Sequence, residues 1–396
     1  MLDCSVVMTA FFTIAMGMLL IDLSSLQENM VCSANYGNAS TCPEVFFSQS
    51  YHAARMKFKD AAKEAKAEWK QHTVLQEEGF EYSIDTAFVR GKKAKNLLIH
   101  MSGTRGVDGF TGSAVQVKLL REWNSSRGDG PSVLFVHAVN PYGMAHFRPY
   151  NENNVDLSRN YLSPEEWSHV LERDNANNSG YNEIVAPLLM SRAPRFIDRY
   201  AFFYQLLKRI VTKGLGAFKQ TPSGGQYHHP DAVGFGGHEE QRAITVLREV
   251  FKAHVGTGIE KSIVLDVCTG PGSEGSETIV SDSREERVVA EKIFKGSKMQ
   301  SRNDETEQIG DIRPSDTFVK NSLIIKQNFG TVNWLFVVRA LFLENAAYKH
   351  AKGSHVHAVM QEWLKDAFYP QTMAYKRAVL KKGVAAFDSA WKHLSW

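Results

Sequence analysis

Four short strand-like runs that each stop at a turn constrain this chain most. They are Asn96 to Ser102, Val133 to Val139, Ile263 to Cys268 and Leu323 to Phe329. Gly103, Asn140-Pro-Tyr-Gly143, the Gly-rich segment Thr269 to Gly275, and Gly330 follow them. Short apolar runs are the mark of strands buried on both faces. Phe80 to Val89 adds an alternating strand. Between the runs lie helical periods. Tyr51, Ala54, Phe58, Ala61, Ala65 and Trp69 recur at three- and four-residue spacing and predict one amphipathic helix, and Ser113 to Trp123, Tyr200 to Val211 and His238 to His254 predict others. The chain beyond Phe329 reads as three more helices ending at Trp391. Strands alternating with helices imply an α/β layer architecture.

Charge narrows the function classes. The 46 Lys and Arg nearly balance 43 Asp and Glu, and a net charge of +3 does not supply the basic face that phosphate-backbone binding requires, so no nucleic-acid partner is expected. Between Ser281 and Lys320 nine acidic and eight basic residues stand together, which suits a solvated helix and a loop better than core. No strong linker divides the chain, and one large domain over residues 46–394 is expected.

The amino terminus points to the secretory pathway. Val6 to Ile21 is an apolar run between Asp3 and Asp22, short for a membrane span, with no basic residue before Arg55. Residues 1–30 therefore read as a signal peptide or a signal anchor, the latter a membrane tether through residues 6–21. Residues 31–45 read as a short linker in which Cys32 and Cys42 can form a disulfide, and Asn38-Ala-Ser, Asn124-Ser-Ser and Asn177-Asn-Ser fit the glycosylation acceptor pattern. The expectation is a secreted or membrane-anchored glycoprotein with a lumenal or extracellular domain.

Ligands of open α/β sheets collect at the carboxyl ends of strands. The turns there read Ser102-Gly-Thr-Arg-Gly-Val-Asp-Gly-Phe-Thr-Gly-Ser-Ala-Val-Gln116, His137-Ala-Val-Asn-Pro-Tyr-Gly143, Arg148, Asn151-Glu-Asn-Asn-Val-Asp-Leu-Ser-Arg-Asn-Tyr161, Asp266-Val-Cys-Thr-Gly270 and Asn328-Phe-Gly-Thr331. Together with Gly225-Gln-Tyr-His-His-Pro230 and Phe368-Tyr-Pro370, this set resembles a branch of the zinc carboxypeptidase superfamily, carboxypeptidase-like domains of unknown function that carry Ser-Gly-Thr-His-Gly-Val-Glu-Gly. The resemblance implies a three-layer α/β/α fold around a mixed, mostly parallel sheet. It also implies a zinc held by His and Glu of the first motif and a later His, a carboxylate base, and basic residues that grip a substrate carboxylate.

This chain departs from that pattern at each chemical position. Arg105 stands at the first His, Asp108 at the Glu, Cys268 at the later His and Asn328 at the general base. Aspartate and cysteine can ligate zinc, but a guanidinium has no lone pair to offer and repels a cation. A carboxamide is no base near neutral pH. If Glu344 rather than Asn328 were the base, one of these two losses would disappear. Arg105 and Asp108, three residues apart, can form a salt bridge where metal would sit. The gripping positions persist as Arg148 and Arg159, with Ser158 where the family has Asn, and Arg105 adds a third guanidinium. Internal carboxylates such as Glu152 and Asp156 are the competing partners for these arginines.

The expected function is therefore a carboxypeptidase-like protein, from a family of metallopeptidase-like hydrolases, that has lost zinc hydrolysis and binds a peptide or carboxylate ligand in the old cleft, with no cofactor. The alternative is a zinc hydrolase of metallocarboxypeptidase or amidohydrolase type with a rebuilt metal site. His137 reads as a core histidine, and His228, His229, His238, His355 and His357 as surface or loop residues, because none has zincin spacing.

Overall fold

The structure is a computed structural model that describes residues 42–173, 180–214, 225–255, 258–301 and 322–396. The signal or anchor segment, Cys4, Cys32, Asn38 and Asn177 lie outside the described residues. Cys42 is disulfide-bonded. Asn124 lies on an exposed stretch. No helix among the described residues is long and apolar enough to cross a membrane.

Eight described strands form one sheet in the order β1-β2-β4-β3-β5-β8-β6-β7. They are β1 (Glu68–Glu77), β2 (Phe80–Val89), β3 (Lys93–Ser102), β4 (Pro131–His137), β5 (Lys261–Gly270), β6 (Glu277–Ser281), β7 (Lys298–Ser301) and β8 (Ser322–Gly330). The four runs form the centre, where β3 pairs in parallel with β4 and β5, and β5 pairs in parallel with β8. The β6–β7 pair is also parallel, and the β1–β2, β2–β4 and β6–β8 pairs are antiparallel. The sheet is mixed and mostly parallel, as expected.

Strand alternation divides the core into two faces. On one, Leu98, Val133, Phe135, Ile263, Leu265 and Val267 pack with helices α1 (Tyr51–Glu64), α2 (Gly109–Arg121) and α9 (Met373–Ser395). On the other, Leu97, Ile99, Met101, Leu134, Val136 and Val264 pack against α5 (Arg242–Val255). This is the three-layer α/β/α arrangement. The remaining described helices of ten residues or more are α3 (Pro164–Arg173), α4 (Asp198–Lys213), α6 (Arg284–Ile293), α7 (Trp334–Ala351) and α8 (His355–Phe368).

Three expectations need correction. The first helix stops at Glu64, and Trp69 lies in β1, because Lys66 adopts φ 54 and turns the chain into a hairpin. Strands β1, β6 and β7 escape notice because they are short or sit at the edge, where polar and charged side chains replace the buried apolar run. The charged stretch from Ser281 is also not all solvated: Ser283 caps α6 through a capping box and β7 follows it. Residues 302–321 of that stretch lie outside the described residues.

Candidate functional site

Strands β3, β4, β5 and β8 run parallel, so their carboxyl ends share one edge of the sheet, and the singled-out turns leave from it. Backbone packing sets the first turn. Gly106 adopts φ 58, and a Cβ there would lie 2.3 Å from the Arg148 carbonyl oxygen and 2.5 Å from the Gly143 carbonyl carbon. Only glycine fits, and it brings the 3-10 turn Gly106–Asp108 down onto the 143–148 loop, where the Val107 N–H donates to the Arg148 carbonyl.

The asparagine-rich motif is a set of loop ties. Asn140 Oδ1 accepts from the Gly143 N–H at 2.8 Å, Asn151 Oδ1 accepts from Asn153 and Val155, and Asn160 donates to the Gly236 and Glu239 carbonyls while accepting from Gln241. Asn154 Oδ1 accepts from Arg148 Nη2 at 2.9 Å. Long loops at a sheet edge need such partners for their backbone groups, which explains these residue types without any ligand.

Arg105, Asp108 and Cys268 do converge. The Arg105 guanidinium lies in the field of Asp156, Cys268, Asp108 and Asp266, and although burial opposes its charge, those neighbours hold its pKa above the ordinary value. No described residue makes a hydrogen bond or an ion pair with that guanidinium. The anticipated Arg105–Asp108 salt bridge is thus not formed: the guanidinium feels Asp156 more strongly than Asp108. Asp108 is fully buried, no side chain donates to either carboxylate oxygen, and only the Thr269 and Arg105 backbone groups lie near, too poorly aligned for good hydrogen bonds. Burial pushes its pKa up to about 7, against the pull of Arg105 and of the Thr269 and Arg105 backbone.

Cys268 and Asn328 face each other across the β5–β8 pairing, with the thiol donating to Asn328 Oδ1 at 3.6 Å. Burial, reinforced by Asp266, pushes the thiol up to about 12, so it is a neutral hydrogen-bonding group. Two residues earlier on the same face, Asp266 accepts from Thr104 Oγ1 at 3.1 Å. Sequence reasoning quoted Asp266 but gave it no role, although an alternating strand places it beside Cys268.

Arg148 and Arg159 already have carboxylate partners. Arg148 is 0% exposed, its Nε donates to Glu344 Oε1 at 2.5 Å, and its guanidinium lies 3.3 Å from the Tyr348 ring centroid. Glu344, the other residue considered as a base, is the buried anion of this pair. His357 Nε2 lies 3.6 Å from the same oxygen, so His357 is a buried residue and not the surface histidine expected. Arg159 pairs with Asp156 at 3.2 Å. Burial pulls Asp156 up, but Arg159, Arg105 and the Ser158 hydroxyl outweigh it and hold Asp156 below the usual carboxylate range. Ser158 Oγ donates to Asp156 Oδ1 at 2.6 Å.

His137 is a core histidine. Its Nε2 lies 3.0 Å from Ser113 Oγ, its ring stacks on Phe58 at 4.7 Å, and burial lowers its pKa to about 3. It forms no pair with Cys268.

The donor set fits zinc poorly. Among the described residues no group of three or more His, Cys, Asp or Glu side chains is placed to hold a metal. Asp108 and Cys268 supply two donors at most, and the third position carries the fixed positive charge of Arg105. No hydrolytic step through zinc is derived from such a set.

A family model described as a protein of unknown function, DUF2817, matches residues 47–382. The chain belongs to the DUF2817 family. No curated protein matches this DUF2817 chain. Solved structures similar to it include bovine thrombin-activatable fibrinolysis inhibitor in complex with tick carboxypeptidase inhibitor, 11% identical over 88% of this chain and 98% of that one, with a TM-score of 0.47. Carboxypeptidase A from Helicoverpa armigera is another, 10% identical over 94% of this chain and 82% of that one, with a TM-score of 0.47.

Proposed function

We propose that this DUF2817 chain is a carboxypeptidase-like protein without zinc hydrolase activity that holds a carboxylate-bearing ligand, such as a peptide carboxyl terminus, at the carboxyl edge of its sheet. The observation that carries the reading is Arg105. It stands where the resembled family has a zinc ligand, and its guanidinium is the one of the three whose donors are not engaged by a described residue. A planar guanidinium is suited to bidentate carboxylate recognition. Arg148 and Arg159 shape the site through Glu344 and Asp156 and do not reach for the ligand themselves. The amino-terminal apolar run, the closeness of Cys32 to Cys42 in sequence and the acceptor triplets support a secretory-pathway protein, secreted or anchored.

Calorimetric titration of the full-length chain with an N-acetylated dipeptide acid and with its amide tests the reading. The acid binds with a Kd of about 1 mM or tighter and the amide at least about tenfold more weakly. Arg105→Gln abolishes the difference while the melting temperature holds. Equal binding of acid and amide, or none of either at millimolar concentration, retires it.

One observation favours a zinc hydrolase with a rebuilt site instead: the two buried oxygens of Asp108, to which no side chain donates, are what a missing ligand or a proton would satisfy. The raised pKa of that carboxyl is in keeping with a proton there.

A further inference from the structure

Helix α4 (Asp198–Lys213) presents an apolar face that no described residue covers. Its inner side buries Phe202, Phe203 and Leu206 against α7, with the Phe202 and Phe342 rings 5.4 Å apart. Its outer side carries Tyr204, Leu207 and Val211, at helical spacing and 51%, 51% and 75% exposed, preceded by Phe196 and Ile197 at 68% and 62%. Five of the eleven large exposed apolar side chains among the described residues thus fall within sixteen positions, which makes a patch of them and not a scatter.

Charge says what covers it. From Arg192 to Lys213 six basic side chains stand against the single acid Asp198, a surplus of five, whereas the whole chain has a net charge of only +3. Everything outside this segment is therefore net acidic. Asp198 is taken by Arg192 at 2.7 Å and also feels the Arg195 charge, and Lys213 pairs with Glu183 at 2.6 Å, but Lys208 and Arg209 have no carboxylate partner among the described residues. Aromatic and branched apolar side chains beside a surplus of cations match a surface that is oily at one depth and anionic just above it. A second copy of this chain would bring a like-charged patch against this one, which disfavours self-association.

We propose that the outer face of α4 is a docking surface for an anionic lipid bilayer, into which Phe196, Ile197, Tyr204, Leu207 and Val211 insert while Arg195, Lys208 and Arg209 meet the headgroups. The proposal does not depend on the carboxylate site.

Co-sedimentation of the full-length chain with vesicles of phosphatidylcholine alone, and of phosphatidylcholine mixed with phosphatidylserine, tests it. Residues 6–21 can contribute binding that ignores lipid charge, so the quantity read is the gain on adding phosphatidylserine. That gain falls at least about tenfold in the Leu207→Glu/Val211→Glu variant and in the Arg195→Glu/Lys208→Glu variant, because each removes one of the two attractions. Both pairs are exposed, and unchanged melting temperatures show that the fold is intact. A gain that survives both variants overturns the proposal. So does a concentration-dependent dimer in sedimentation velocity that Leu207→Glu/Val211→Glu dissociates, since a second copy would then be the occupant.

Discussion

Asp108→Asn stabilises the fold by about 3–4 kcal/mol at about pH 8 and by less than about 1 kcal/mol at about pH 4, read from urea unfolding. The carboxyl is buried with no side chain donating to it and has its pKa raised from 3.8 to about 7. A group raised in the folded state favours folding fully only below its unfolded value, and that contribution is lost as pH climbs to the folded one. Wild type therefore loses stability through this group between about pH 4 and 7. Asparagine copies the shape and polarity of the protonated acid and has nothing to ionise. Asp156 acts in the opposite direction: held below its ordinary value, it contributes above that value and its share is lost on acidification. A variant of unchanged stability at about pH 8 would mean that Asp108 has a counter-charge, and a metal ion would be the first candidate.

The buried Arg148–Glu344 pair gives the second large effect. Both side chains are 0% exposed, so removing either leaves a buried charge without its ion-pair partner. Arg148→Met and Glu344→Gln each destabilise by about 3–5 kcal/mol, and the double variant by much less than their sum. Equilibrium unfolding of the four proteins at one pH measures this coupling. Additive losses, or an Arg148→Met protein as stable as wild type but defective in carboxylate binding, would instead return Arg148 to the ligand.

These two results separate what the sequence discloses from what it hides. The runs in β4 and β5 are legible because strands buried on both faces stay apolar along most of their length, while β8 is buried on alternate residues and carries Lys326, Gln327 and Asn328, and β2 is legible by alternation. Edge strands β1, β6 and β7 relax that requirement and lose the signal. At the site, the identities of Arg105, Asp108, Cys268 and Asn328 are legible through the motif. Their contacts are not. Arg148 and Glu344 are 196 positions apart in the chain, and nothing local in either neighbourhood announces the other. The Arg105–Asp108 spacing suggested a bridge, yet the backbone turn at Gly106 leaves the guanidinium nearer in effect to Asp156, a residue from another loop. His357 looked like a surface residue because its place on α8 is decided by packing against α7, a long-range fact.

The proposed function turns on Arg105, a fixed cation beside Asp108 and Cys268. Metal content by plasma mass spectrometry tests it most directly, on the full-length chain equilibrated with zinc and desalted, beside Arg105→His. No stoichiometric zinc is expected in the parent. About one zinc per chain, lost when Asp108 or Cys268 is changed, would contradict the proposed function and make the site a rebuilt metal centre.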